Sequence, residues 1–337
     1  MNKKIIIGII ISLLIIIISA SSGSVNIGFL DTIQITLHKI FGIPLSENID
    51  PGNVSIVWLL RLPRVLLAFL VGGGLAIGGA VCQSILRNPL ASPYILGVSS
   101  GASLGAGIII ISGITLPFLG GFSLPLTGFV FGLAAVFLVA SFSSRIDKSM
   151  SNNTVILCGM VFSLFLNALL TTLSAVFSDD LRRIALWQMG SFAMRGWSYI
   201  RLFLPFLAIG TIGILLYTKE MDILSFGDEQ SKSAGVETSA LRKRLLAFCA
   251  VLTGAAVALS GVIGFVDLIA PHAARRITGS RHRHVIPMSF ILGGSLMVCT
   301  DLIARTIISP SELPVGAVTA LIGAPFFAWV YFRRKRA

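Results

Sequence analysis

Apolar runs of about twenty residues, each closed off by a short cluster of charges, recur along almost the whole chain. Such runs match the length at which a helix crosses a ~30 Å hydrocarbon core, where lipid offers the backbone no hydrogen-bond partner. The pattern predicts ten segments, at about 5–20, 62–82, 94–112, 117–141, 154–175, 200–217, 243–263, 264–277, 286–307 and 315–332. Between the first two, residues 27–41 alternate apolar and polar positions at helical spacing, which predicts a short surface helix. One connection, 218–243, is too long for a simple turn. With no domain boundary in view, the chain reads as one all-α polytopic membrane domain over residues 1–337.

Composition sharpens that reading. Charged residues make up 12% of the chain and hydrophobic ones 55%, with a mean hydropathy of +0.92. Water-soluble domains carry about 25% charged residues. The net charge of +12 raises the question of a nucleic-acid partner, but the basic residues are sorted by segment. With the N-terminus placed in the cytoplasm, 18 of the 26 lysines and arginines fall on the inner side and 8 on the outer, as the positive-inside rule requires. The basic excess is therefore topological, both termini are expected in the cytoplasm, and no nucleic-acid partner is expected. The N-terminal run behind Lys3 and Lys4 reads as a retained crossing, since cleavage would leave nine and upset the charge balance.

Several function classes lose support. No GxxxxGK[ST] phosphate loop is present, so the chain is not expected to hydrolyse ATP. Cys82, Cys158, Cys249 and Cys299 all lie in apolar segments without a CxxC pair, which reads as packing. In Arg281-His-Arg-His284 two arginines would repel a metal, so neither a metal site nor a cofactor is expected in this chain. Only Asp267 and Asp301 are candidate intramembrane carboxylates, too few for a typical ion-coupled carrier. Gly74 with Gly78, and Gly101 with Gly105, let helices approach closely.

A set of short motifs then carries a resemblance. Arg61-Leu-Pro-Arg64, Arg87-Asn-Pro-Leu90, Leu96-Gly-Val-Ser-Ser-Gly101, Trp187-Gln-Met-Gly-Ser191, Gly261-Val-Ile-Gly-Phe265, Asp301-Leu-Ile-Ala-Arg305 and Glu312-Leu-Pro-Val-Gly316 occur in that order. Together the chain resembles the FecCD-type permeases of bacterial ABC importers for iron–siderophore complexes, haem and cobalamin. The resemblance implies a type II importer permease fold of about ten transmembrane helices in the bacterial inner membrane. It also implies a second permease copy, a homodimer being expected, and two cytoplasmic ATPase subunits that bind ATP and Mg. An extracytoplasmic solute-binding protein would deliver a metal-chelate ligand. An iron–siderophore or haem cargo is the first expectation, cobalamin or molybdate the second.

Site residues follow from the same resemblance. Arg61, Arg64 and Arg305 would dock the binding protein, with snorkelling to headgroups as the alternative. The 218–243 loop would be the ATPase-coupling element, formed with Gly227, with Leu224 and Phe226 as apolar anchors and Ala234 and Gly235 permitting close approach. Otherwise it is a solvated loop. Asn88, Leu90, Ser151, Asn152 and Asn153 would form the cytoplasmic gate, with helix capping as the plainer reading. Asp267 departs from the family's usual glycine, and either a nearby arginine or a ligand-specific feature would account for it.

Overall fold

The computed structural model describes residues 3–23, 25–114 and 120–334. Helix α1 (Lys3–Ser21) is followed by the surface helix α2 (Phe29–Phe41). A short α3 (Pro51–Ser55) then runs through a π-helical turn, Ile56–Arg61, into α4 (Leu62–Ile85). After a 3-10 turn at Pro93–Leu96 come α5 (Val98–Ser112), α6 (Ser123–Ile146), α7 (Asn152–Val176) and the short α8 (Leu181–Gln188). Beyond α9 (Trp197–Leu215), the long connection folds into α10 (Thr218–Leu224) and α11 (Asp228–Ser233). Helices α12 (Thr238–Ser260), α13 (Val266–Thr278), α14 (His282–Thr306) and α15 (Val315–Arg334) complete the chain. Each predicted segment holds a helix, although the first residues of 117–141 lie outside the described residues.

Among the described residues, seven helical stretches are long and apolar enough to cross a membrane: α1, the continuous Pro51–Ile85, α6, α7, α9, α12 and α14. Helix α5 and the part of α15 up to Ala328 are shorter apolar helices. The eighth segment, predicted over 264–277, is found as α13 with nearly the same bounds, but it is short for a crossing. Helix α13 has 13 residues and so spans about 20 Å. The turn that separates it from α12 has Gly261 at φ +78° and Phe265 at φ +69°, conformations that no helix accommodates. Buried non-helical backbone needs substitute partners. Tyr94 Oη donates to the Ile263 carbonyl at 2.7 Å, and the Ser191 amide donates to the Ser260 carbonyl at 2.8 Å.

Helix α4 is the axis of the bundle, with 83% of its apolar window buried. The π-turn sits just ahead of Pro63, whose ring and missing N–H oppose a regular α-helical entry. Small residues then let neighbours reach its backbone. Gly72 faces Gly293 of α14, and Gly79 faces the main chain of Asp267 in α13. The paired glycines behave as their spacing predicts: Gly101 and Gly105 lie against the Phe131 and Thr127 carbonyls of α6.

Candidate transport machinery at the two ends of the bundle

At the expected outer end, the π-turn, α4 and α14 bring Arg61, Arg64 and Arg305 together around the end of α1. They line one cavity of about 620 Å³ with Arg195 and Glu312. Each guanidinium is also engaged within the chain. Arg64 Nε lies 3.1 Å from both carboxylate oxygens of Asp301, while its Nη1 reaches Glu312 Oε1 at 2.7 Å. Arg305 Nε is 3.5 Å from Asp301 Oδ2, and its Nη1 donates to the Ser22 carbonyl at 2.6 Å. Arg61, 7% exposed, donates to the Ser21 carbonyl at 2.6 Å and to the Val25 carbonyl. These contacts satisfy carbonyls that α1 leaves open at its C-terminus. The N-terminal run is thereby tied into the bundle by two arginines.

Glu312 lies in the loop after α14, and the hydrogen bond from Arg64 holds its carboxyl below the ordinary value of 4.5. A depressed carboxylate stabilises the fold above its ordinary value and loses that contribution as pH falls through the depressed one. Acidification below about pH 4.5 should therefore lower the melting temperature of the purified protein, and Glu312→Gln should flatten that step. An unaltered pH profile in the variant would show that the pair contributes nothing.

The opposite end holds the other predicted residues. Asn152 Nδ2 donates to the Leu86 carbonyl at 2.9 Å, which joins the start of α7 to the end of α4. Asn88 Oδ1 accepts from the Leu90 amide at 2.9 Å, and Leu90 is 47% exposed. Ser151 is fixed through its amide, which donates to Asp147 Oδ2 at 2.9 Å. Asn153 is exposed on α7. Thus the predicted gate segments do meet.

The 218–243 connection is ordered as a helix pair. Gly227, at φ +117°, turns α10 into α11, and Ser231 Oγ bonds back to the Ile223 carbonyl at 3.1 Å. Phe226 is 75% exposed, while Ala234 and Gly235 are exposed beyond it. Leu224 is a correction. Its side chain is fully buried in the main core, so it anchors α10 to the bundle and offers no surface to a partner.

Two further contacts were not anticipated from the sequence, where His282 was weighed only as a metal ligand. Arg242 is fully buried and bonds Asp228 and the Met150 carbonyl, at 2.8 and 2.9 Å. His282 Nδ1 donates to Asp222 Oδ1 of α10 at 2.5 Å, and its amide donates to the same oxygen at 2.9 Å. Asp267 is buried at the start of α13 and accepts from Ser92 Oγ; its partner is thus a serine and not the nearby arginine that the sequence left open.

With this geometry in hand, comparison with known proteins is decisive. The sequence profile of the FecCD transport family matches residues 10–333. The chain belongs to that family. Among relatives of this FecCD permease, an uncharacterized ABC transporter permease protein, YvrB of Bacillus subtilis, is 43% identical over 321 residues, covering 95% of this chain and 91% of its own. The hemin transport system permease protein HmuU of Yersinia pestis is 36% identical over 330 residues, covering 96% and 95%. A solved metal-chelate type ABC transporter in an inward-facing conformation superposes with a TM-score of 0.86 at 30% identity, over 99% of this chain and 100% of that one. The FecCD permease described here is accordingly a multi-pass membrane protein of the ABC importer permease class, with the all-helical fold expected of it.

Proposed function

We propose that this permease carries an iron–siderophore or haem-type chelate across the bacterial inner membrane, driven by ATP hydrolysed on a separate subunit. The observation that carries the reading is the ordered α10–α11 pair, which presents Phe226 at 75% exposure before α11 and Ala234 and Gly235, also exposed, after it, at the end of the bundle opposite the arginine cavity. A large exposed aromatic fits a partner's cleft, and exposed small residues allow its close approach. Two ATPase subunits, holding ATP and Mg, would seat there, one for each permease copy. Both termini would then be cytoplasmic, in line with the distribution of basic residues. Cobalamin or molybdate is the second choice of cargo.

A second copy is supported by α7, of whose apolar window only 22% is buried. One of its faces exposes Asn153, Leu157, Met160, Leu164, Asn167 and Thr171 at helical spacing. Asparagine and threonine are disfavoured against lipid, so this face fits a pathway shared with a second copy. At the outer end, Arg64, Arg195 and Arg305 outnumber Asp301 and Glu312, which leaves a positive rim for an acidic binding protein, whereas Arg61 is buried behind it and adds charge without a docking surface.

Affinity purification of the tagged chain in mild detergent tests the assembly. Recovery of an ATPase subunit at about one per permease, with a solute-binding protein retained more strongly at low salt, is expected. Purification of the chain alone, even after crosslinking, would count against it. Gly235 offers a second check. Its φ of +80° strains any side chain, although nothing lies within 4 Å of the position a Cβ would take. Gly235→Leu should therefore weaken ATPase retention while the permease itself still folds, and wild-type retention would remove Gly235 from the contact.

A further inference from the structure

Arg242 has the largest fully buried side chain in the described residues, and every bond it makes leads to a candidate functional segment. Its Nη2 donates to Asp228 Oδ1 at 2.8 Å, and its Nη1 donates to the Met150 and Ser149 carbonyls at 2.9 and 3.2 Å. A buried guanidinium is tolerated only where charge and hydrogen bonds are both supplied, so this geometry is strongly specified. Asp228 is the first residue of α11 and follows the Gly227 turn. Its Oδ1 also lies 3.5 Å from Arg87 Nη2.

The flanking backbone gives these contacts their direction. Arg87 immediately precedes Asn88, and Met150 immediately precedes Ser151. Both Arg87 and Met150 adopt left-handed backbone conformations, at φ +46° and +51°, which non-glycine residues hold only when their surroundings enforce them. The Met150 side chain is fully buried, and its carbonyl is held by Arg242. One carboxylate on α11 is therefore bonded, directly or through a single arginine, to the residue before each gate segment. The second anchor of the helix pair, Asp222 to His282, leads to α14 and touches neither segment.

We propose that Asp228 is the positioning residue that passes movement of the α10–α11 pair to the gate. Arg242 transmits it to Met150 and the start of α7, and Arg87 transmits it to Asn88. The proposal rests on the reading of α10–α11 as the ATPase contact. When a bound ATPase displaces α11, Asp228 draws on both arginines at once, and the segments joined by Asn152 and Leu86 shift together.

The test is the amount of chelate transported per ATP hydrolysed, in proteoliposomes holding the permease with its ATPase and hemin as probe. Asp228→Asn keeps an oxygen for Arg242 but removes the charge that serves both arginines. The transport-to-ATP ratio should fall about tenfold while the ATPase still co-purifies, and Asp228→Glu should restore most of it. Arg87→Gln changes a side chain that is 40% exposed, so it keeps the proposal testable if Asp228→Asn is not recovered; it should lower the ratio about threefold. An unchanged ratio in either variant overturns the proposal. So does loss of ATPase retention and melting temperature together, because Asp228 would then be a structural anchor only. Failure of the wild-type permease to retain an ATPase would instead sink the reading beneath it.

Discussion

Valine at position 79 is expected to abolish recovery of the folded permease. A Cβ on Gly79 would fall well under 3.0 Å from the Asp267 carbonyl oxygen of α13, and the obstacle is backbone that cannot rotate away. Helix α13 is also pinned along this contact, because Arg275 donates to Gln83 Oε1 and Gln83 Nε2 reaches the Leu268 carbonyl at 3.5 Å. Overpacking alone costs about 1–3 kcal/mol, and lipid supplies no hydrophobic drive to hold separated helices together. Gly74→Ala is the control, since the nearest atom to its Cβ is a side-chain atom, the tip of the Phe203 ring at 3.3 Å, and a shift of a few tenths of an ångström relieves the contact. Size-exclusion profiles in detergent should show Gly79→Val aggregated and Gly74→Ala monodisperse. A monodisperse Gly79→Val protein with an unchanged melting temperature would contradict the packing described.

Removing the carboxylate of Asp301 should have the second-largest effect. Asp301 is fully buried between Arg64 and Arg305, with three contacts of 3.1 Å or less to Arg64 alone. Asp301→Leu leaves two mostly buried guanidiniums short of a counter-charge. Breaking a buried ion pair from one side typically costs about 3–5 kcal/mol. Arg64 keeps Glu312 and Arg305 keeps the Ser19 and Ser22 carbonyls, so a sharply lowered melting temperature is expected, not complete loss of fold. The double variant Arg64→Met/Asp301→Leu removes one positive charge together with the negative one. It should regain a large part of the lost stability, the mark of directly coupled residues. Equal melting temperatures for the single variant and the wild type would mean that the cluster is not a stabilising unit.

Much of the fold was legible because membrane burial writes its lengths into the sequence. The segments at 154–175 and 286–307 emerged as α7 and α14, shifted at most by a turn at an end. The break between α12 and α13 falls at the predicted boundary between 243–263 and 264–277, but its form was not legible, because hydropathy does not register a left-handed residue such as Phe265. Leu224 was assigned to the wrong face for a related reason. A helix of 7 residues has too few turns for periodicity to decide which side is buried.

The sites divide in the same way. The outer arginines and the two gate segments were found as groups and do come together in space. Their partners were not found, because Arg64 and Asp301 lie 237 residues apart and Arg242 and Met150 lie 92 apart. Arg242 could be counted from sequence only as one more inward-facing positive charge. The one local signal was Gly227 before Asp228, a turn that places a carboxylate at a helix start.

ATP-dependent uptake tests the central claim most directly. The purified permease with its ATPase would be placed in proteoliposomes with ATP inside, and hemin, a ferric hydroxamate or cobalamin outside together with the binding protein. Accumulation that requires ATP, is abolished by orthovanadate and survives collapse of the proton and sodium gradients is the expected result. Uptake that follows an ion gradient and ignores both ATP and vanadate would contradict the account and point to a carrier.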